Sequence, residues 1–186
     1  MSYSLRIPKL DIPDDVFISV EDIGESSDLP GLEAESLLSS EERKKAEAFY
    51  FEMNRRQYIR GRAFLRKKLS ELLSLAPDKI VLATGEHGKP FLPNSDLVFN
   101  LSHSGSLALY AFSRKQEALG VDIEERSRSV KIHELGRHCF TEKEIELLNE
   151  APLANQNDLF FRIWRFAAPQ KTPDSLIDRA QVISSV

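Results

Sequence analysis

The stretch LVFNLSHSGSLALYAFSRKQEALGVDIE, residues 97–124, decides the fold class of this chain. Apolar and β-branched residues are concentrated in three of its segments, which predict strands at residues 97–101, 107–112 and 118–123. A loop at residues 102–105 and a turn at residues 113–116 separate these strands. Helical patterns lie before and after this block, so the predicted fold class is α+β.

Two helices are predicted before this block and three after it. Ser39 lies three residues before Glu42, the spacing of a capping box that opens a helix through about residue 52. A second helix is predicted from about residue 54 to residue 75, because its apolar residues recur at helical spacing. Thr141 and Glu144 repeat the capping-box pattern. The other predicted elements are helices at residues 130–138, 141–149 and 158–166 and short strands at residues 16–20 and 80–82.

Length and composition exclude several classes of protein. The chain has 186 residues, enough to bury a core, and its net charge of -4 carries no overall nucleic-acid signature. Its single cysteine, Cys139, excludes an internal disulfide and suits a reducing compartment. No apolar run approaches the roughly 20 residues of a transmembrane helix, and the start lacks a signal-peptide core. These features predict a cytoplasmic protein with no membrane or nucleic-acid partner.

Positive charge is concentrated in one part of the chain. Between positions 43 and 68 only Glu47 and Glu52 oppose ten basic residues. A solvated helix surface accounts for about half of these side chains. The alternative is a site for a polyanion, since a local positive field steers phosphate-bearing ligands. The ten residues are Arg43, Lys44, Lys45, Arg55, Arg56, Arg60, Arg62, Arg66, Lys67 and Lys68.

The residues Gly120-Val121-Asp122-Ile123-Glu124 place two acids at alternate positions of a predicted strand. Both carboxylates would then project from one face, while Val121 and Ile123 face the core. Two such oxygen ligands suit Mg²⁺, which usually takes one or two carboxylates and leaves other positions to water and substrate phosphates. The alternative is an edge strand whose acids face water, and the pair taken alone favours that alternative.

Two further segments carry groups that suit a phosphate. Asn100-Leu101-Ser102-His103-Ser104-Gly105 offers an amide, two hydroxyls and an imidazole. Gly85-Glu86-His87-Gly88-Lys89-Pro90 combines glycines, which allow close backbone approach, with a lysine point charge. Each segment also fits a structural role, as a hydrogen-bonded strand end or a glycine–proline turn. Their order and spacing are more specific than either segment alone.

In this order the segments resemble the 4′-phosphopantetheinyl transferase superfamily, in its larger, two-lobed type. The matching pieces are Arg55 with Gly61-Arg62 and Leu65-Arg66, Gly88-Lys89-Pro90-Phe91, Phe99-Asn100-Leu101-Ser102-His103-Ser104, Gly120-Val121-Asp122-Ile123-Glu124, Phe140-Thr141-Glu142-Lys143-Glu144, and Phe161 to Trp164. The resemblance implies a complete N-terminal lobe at residues 1–117 and the start of a pseudo-repeated second lobe at residues 118–166. The last residues, 167–186, form an irregular tail without family match.

The resemblance also implies an activity, the transfer of 4′-phosphopantetheine from coenzyme A to a serine of an acyl or peptidyl carrier protein. This is the reaction of a holo-[acyl-carrier-protein] synthase, and it depends mainly on positioning and charge neutralisation. Asp122 and Glu124 would bind Mg²⁺. Coenzyme A, the co-substrate, would contact Arg55, Gly88, Lys89, Pro90, Asn100, Ser102 and His103.

The match ends after Trp164. The resemblance implies a glutamate that binds the metal and accepts the serine proton, and Ala168 stands at its position. The catalytic base is therefore unassigned, with Glu124 as a candidate, and we expect an altered or truncated second lobe and very slow or absent transfer. A binding protein of this family, holding coenzyme A or a carrier protein without turnover, is the main alternative. A nucleic-acid-binding module using the basic helix is another, against which sparse aromatic residues and the acidic net charge argue.

Overall fold

The computed structural model describes residues 12–85, 88–116, 119–123 and 132–167. Contacts divide these residues into two compact units, residues 12–123 and residues 132–167. Helices and mainly antiparallel strands occur as separate blocks, which confirms the α+β class. The predicted domain boundary after residue 117 stays a prediction.

The first unit contains all the strands of the described residues. Along the chain it consists of β1 (Phe17–Asp22), α1 (Gly31–Ser36), α2 (Ser40–Glu47), α3 (Glu52–Leu73), a 3-10 turn (Pro77–Lys79), β2 (Ala83–Thr84), β3 (Pro90–Phe91), β4 (Val98–Ser104) and β5 (Leu107–Ser113).

Three of these strands form an antiparallel sheet in the order β1-β5-β4. The central strand β5 is buried at every position. Helix α3 packs on this sheet, and its Leu65 and Leu69 share one core with Phe99, Tyr110 and Phe112. Such a core fixes the register, because a one-residue slip would turn every buried side chain of β5 to the other face.

The turn between β4 and β5 is tighter than the sequence predicts. Strand β4 continues to Ser104, and residues 105–106 alone form the turn. Gly105 has φ +57°, and positive φ at the first turn residue is the requirement of a type II′ hairpin. The predicted loop at residues 102–105 is therefore wrong, because Ser102 and His103 pair with Leu109 and Ala108 across the ladder.

Both capping boxes are confirmed. The Ser39 side chain accepts a hydrogen bond from the Glu42 backbone, the Glu42 carboxylate accepts one from the Ser39 backbone, and α2 begins at Ser40. Thr141 and Glu144 do the same before α5. Helix α1 was not predicted, because Pro30 and Gly31 at its start are typical of a turn. Pro30 instead precedes the first turn, where its missing N–H costs nothing.

Two of the predicted strands differ in the structure. Residues 80–82 are irregular, and the nearby strand pair is the short hairpin of β2 and β3. Residues 119–123 also lack strand structure. The Leu119 carbonyl and the Ile123 N–H bond to side chains of Lys89, Asn100 and Ser102 instead of a neighbouring backbone, so these groups take no part in a strand ladder.

The second unit consists of three helices, α4 (Ile132–Cys139), α5 (Glu142–Glu150) and α6 (Leu153–Ala167). Their core is largely aromatic. The ring centroids of Phe140 and Phe160 lie 5.2 Å apart, and the Trp164 ring stacks on Phe160 with a centroid distance of 5.7 Å. Among the described residues, no helix combines the length and the hydropathy that crossing a bilayer requires.

Candidate functional site

Strand β4 separates the predicted phosphate contacts onto two faces. Successive side chains of a strand alternate, so Asn100 and Ser102 share one face while His103 belongs to the face that carries Phe99. His103 is exposed, because it stands at the end of the strand beyond the core. His103 was therefore predicted to lie with Asn100 and Ser102, but the strand places it on the opposite face.

Asn100 and Ser102 contact the segment of residues 119–123. The Asn100 amide donates to the Leu119 carbonyl at 2.8 Å. The Ser102 hydroxyl donates to Oδ1 of Asp122 at 3.0 Å and accepts a hydrogen bond from the Ile123 backbone at 3.4 Å. Leu119 and Ile123 are buried. These contacts hold Asp122 beside β4.

Lys89 joins the same cluster from the β2–β3 hairpin. Gly88 has φ +76°, a conformation that only glycine adopts easily, and Lys89 follows it directly before β3. The Lys89 Nζ donates to the Leu119 carbonyl at 3.1 Å. Burial lowers the pKa of the Lys89 ammonium group, because desolvation disfavours its charged form.

Asp122 is the one member of the predicted metal pair that the structure describes, since Glu124 lies outside the described residues. Within the described ranges, no group of three or more histidine, cysteine or acidic side chains could hold a metal ion. A partly buried carboxylate beside a serine hydroxyl is nevertheless the oxygen chemistry that Mg²⁺ accepts, with water and ligand phosphates completing its shell. These oxygen groups fit Mg²⁺, but the described residues alone do not supply enough ligands to surround the ion.

A cleft of about 620 Å³ lies between α2, α3 and the chain from Asp78 to Pro90. Its volume falls within the range of small-molecule sites. Arg43, Lys45 and Arg62 line it, together with Thr84. Of the predicted coenzyme A contacts, only Pro90 is a lining residue, directly after Lys89 in the chain.

Tyr58 is flanked by two cations in this cleft. The Lys45 Nζ lies 5.7 Å from its ring centroid and the Arg62 guanidinium carbon lies 5.5 Å away. Phe49 packs against the same ring at 5.2 Å. Burial raises the pKa of the Tyr58 phenol, so the hydroxyl remains a hydrogen-bond donor at neutral pH. The group combines positive charge, an aromatic face and a hydroxyl.

Arg66 also lines the cleft, but its guanidinium forms hydrogen bonds with other groups of the protein. It is 2 % exposed, and its Nε donates to Oε2 of Glu42 at 2.6 Å. Its Nη1 donates to the carbonyls of Pro77 and Ile80 at 2.6 Å and 3.1 Å. This pair ties α2, α3 and the 3-10 turn together, so Arg66 has a structural role.

Acidic residues from elsewhere in the chain neutralise several of the ten basic residues. Arg55 forms a 3.0 Å ion pair with Glu35 and lies 3.6 Å from Glu52. Arg56 pairs with Glu25 and Glu52, and Lys68 with Glu21 and Glu71. Glu47 and Glu52 are therefore the only acids among these basic residues in the sequence, but other acids lie close to them in the fold.

Lys45, Tyr58 and Arg62 were not predicted as individual site residues. Tyr58 and Arg62 are four residues apart on one helix, a spacing that puts them on one face, so this half of the group was detectable. Lys45 comes from a different helix, and its position over the ring depends on tertiary packing.

Two sequence models of one superfamily match the chain in consecutive order. The model described as 4′-phosphopantetheinyl transferase, N-terminal, matches residues 30–115, and that of the 4′-phosphopantetheinyl transferase superfamily matches residues 118–166. The chain belongs to the 4′-phosphopantetheinyl transferase superfamily. The cleft and the side chains of β4 lie in the first match, and Asp122 lies in the second.

Relatives in this superfamily are similar over about two thirds of the chain. The 4′-phosphopantetheinyl transferase HetI of Nostoc is 36% identical over 131 residues, 68% of this chain and 55% of the relative. Sfp of Bacillus subtilis is 30% identical over 130 residues, 69% of this chain and 56% of the relative. The L-aminoadipate-semialdehyde dehydrogenase-phosphopantetheinyl transferase of Mus musculus is 28% identical over 139 residues, 68% of this chain and 45% of the relative. The chain thus spans about half the length of these relatives.

Proposed function

We propose that this protein transfers the 4′-phosphopantetheine arm of coenzyme A to a serine of an acyl or peptidyl carrier protein. The observation that carries the proposal is the consecutive match to two transferase models, because it includes both the basic cleft and Asp122. In the reaction the serine oxygen bonds to the β-phosphorus of coenzyme A, and the bond to the nucleotide phosphate breaks. The serine proton passes to a base.

The cleft supports coenzyme A as the co-substrate. Coenzyme A carries several phosphates, and Lys45 and Arg62 supply positive charge beside the Tyr58 hydroxyl. Charge-assisted hydrogen bonds to phosphate are among the stronger polar contacts. His103, an exposed imidazole, is a further phosphate contact in this proposal. Arg55 contributes least of the expected contacts, since Glu35 and Glu52 already neutralise it.

Mg²⁺ completes the proposed site, with Asp122 and Glu124 as its protein ligands. When bound, the ion neutralises charge on the pyrophosphate of coenzyme A. The chain's own task is to hold the Asp122 carboxylate in place and to keep the phosphates aligned. The two-lobed architecture with a pseudo-repeat belongs to the same proposal.

The direct test is mass spectrometry of an apo carrier protein incubated with this chain, coenzyme A and Mg²⁺. The expected result is slow conversion to a carrier protein heavier by one phosphopantetheine. A carrier mutated from serine to alanine at the acceptor position is the matched control and should remain unchanged. Calorimetry without detectable coenzyme A binding would overturn the proposal.

Binding without turnover is the second candidate function. Ala168 favours it, because alanine can neither ligate a metal nor accept the serine proton. The same experiment separates the two candidates. Coenzyme A binding together with an unmodified carrier protein, even at long incubation, would identify a binding protein of this family.

A further inference from the structure

We propose that Ser102 is a positioning residue for Asp122, and that Asn100 and Lys89 act with it as a clamp on residues 119–123. In this assignment the three side chains hold residues 119–123 through the hydrogen bonds that they form within the protein. The statement about the metal rests on the proposed function, since it takes Asp122 as an Mg²⁺ ligand.

The Ser102 hydroxyl makes two contacts with the segment. It donates to Oδ1 of Asp122 at 3.0 Å and accepts from the backbone of Ile123 at 3.4 Å. One hydroxyl thus fixes both a carboxylate oxygen and the backbone immediately after it. A carboxylate held by a hydrogen bond from a strand has fewer accessible rotamers than a free one.

The second contact lies three residues earlier in the segment. The Leu119 carbonyl accepts one hydrogen bond from Asn100 at 2.8 Å and another from Lys89 at 3.1 Å. A carbonyl oxygen has two lone pairs, so these donors satisfy it completely. The segment is therefore held on both sides of Asp122, by side chains of strand β4 and of the turn that precedes β3.

This clamp substitutes for a backbone ladder. Residues 119–123 lack strand pairing in the structure, and Gly120 lowers the stiffness of the segment further. The apolar ends, Leu119 and Ile123, are buried at 3% and 2% exposure. Burial fixes the depth of the segment, and the three polar side chains fix the direction in which Asp122 faces.

The test measures Mn²⁺ affinity by electron paramagnetic resonance, once with Mn²⁺ alone and once with inorganic pyrophosphate. Ser102→Ala is expected to weaken Mn²⁺ binding by about 10- to 100-fold, the usual effect of losing a residue that orients a metal ligand. Ser102→Thr retains the hydroxyl and should keep affinity near that of the unmodified protein. Ser19→Ala is the control, because the Ser19 hydroxyl donates to Glu21 on its own strand of the same sheet.

Two further measurements keep the result decisive. Ser102→Cys preserves the side-chain shape with a weak hydrogen-bonding group and should lose Mn²⁺ affinity even if Ser102→Ala does not fold. Hydrogen exchange at residues 119–123 should become faster in Ser102→Ala and in Asn100→Leu, and it should be unchanged in Ser19→Ala.

Three results would overturn the assignment: unchanged Mn²⁺ affinity in both Ser102→Ala and Ser102→Cys, equal losses in Ser102→Thr and Ser102→Ala, or no Mn²⁺ binding by the unmodified protein. Coenzyme A binding, measured separately in metal-free buffer, tests the proposed function alone. Failure of that binding would leave the Mn²⁺ and pyrophosphate comparison intact, so the two proposals fail separately.

Discussion

Arg62 and Arg66 lie one helical turn apart on α3, and both line the same cleft. Arg66 is buried against Glu42 and two backbone carbonyls. Arg62 is half-buried over the ring of Tyr58, and no ion pair of Arg62 occurs among the residues that the structure describes. Neighbouring arginines of one helix therefore have different roles.

The difference depends on acids that are distant in sequence. Glu42 is 24 positions before Arg66 and reaches it because its own capping box holds it at the start of α2. A buried charge requires such a partner, whereas a cation at a cleft can meet an anionic ligand instead. Charge density along the chain is thus a weak guide to a phosphate site until the pairing is known.

The largest effect should come from breaking the buried pair. We expect Arg66→Ala to lower the free energy of unfolding by about 3–5 kcal/mol, because it leaves the Glu42 carboxylate buried without its partner. Urea denaturation measures this. Arg56→Ala is the control, since Arg56 pairs with Glu52 on the surface and should change stability by at most about 1 kcal/mol. Similar losses in both variants would contradict the contrast.

Arg62→Ala should instead weaken coenzyme A binding and leave the fold intact. A lost charge-assisted hydrogen bond to phosphate corresponds to about 1.5–3 kcal/mol, or roughly 10- to 100-fold in affinity. Calorimetry at two salt concentrations checks this. The difference in affinity between the variant and the parent protein should be smaller at high salt, because screening weakens the attraction between Arg62 and the phosphate in the parent protein. Unchanged affinity would remove Arg62 from the proposed site.

Alkaline pH tests the interior beneath α3. Tyr110 is fully buried and donates to the Gly61 carbonyl at 2.8 Å, and burial raises the pKa of its phenol far above the ordinary value of 10.0. The unfolded chain therefore releases this proton above pH 10 while the fold retains it, so stability falls as pH rises, by about 1.4 kcal/mol per unit.

Tyr110→Phe should flatten this slope between pH 10 and pH 11.5 in thermal or urea unfolding. Tyr50→Phe is the matched control, because Tyr50 is 92% exposed and should leave the slope unchanged. Equal slopes in the two variants would show that another group governs the alkaline loss.

The smallest effect is expected for Arg55, which the sequence alone groups with the phosphate contacts. Its pairs with Glu35 and Glu52 predict that Arg55→Ala changes coenzyme A affinity by less than about 5-fold, or under about 1 kcal/mol. Competition binding against Arg62→Ala provides the comparison. A loss as large as that of Arg62→Ala would place Arg55 in the site after all.

Local rules predicted the parts of the fold that depend on neighbouring residues. The capping boxes at Ser39 and Thr141 and the starts of the helices that follow them are confirmed, because a cap involves residues three positions apart. The first of these helices ends at Glu47 and not near residue 52 as predicted. Strands β4 and β5 were predicted, but the loop between them was predicted too long. Hydrophobic alternation stops at the polar residues Ser102 and His103, whereas backbone pairing continues through them.

The candidate site was only partly predictable. Asp122 with Asn100, Ser102 and Lys89 was identified from residue types, and the structure brings these four together. Their mutual hydrogen bonds, and the faces of β4, follow from register and tertiary packing. The cleft around Tyr58 could not be predicted, because it depends on how two helices and a hairpin are placed relative to one another. Hydrophobic periodicity along the sequence carries no information about that placement.

The β2–β3 hairpin has a consequence for how two ligands would influence each other. Adjacent residues of the hairpin face different neighbours, since Pro90, the first residue of β3, lines the cleft and Lys89, just before it, reaches the Leu119 carbonyl. A ligand that shifts the hairpin on binding in the cleft also shifts one end of the segment that carries Asp122. The resulting coupling free energy is reciprocal, so an anion in the cleft and a cation at Asp122 must change each other's affinity by the same factor.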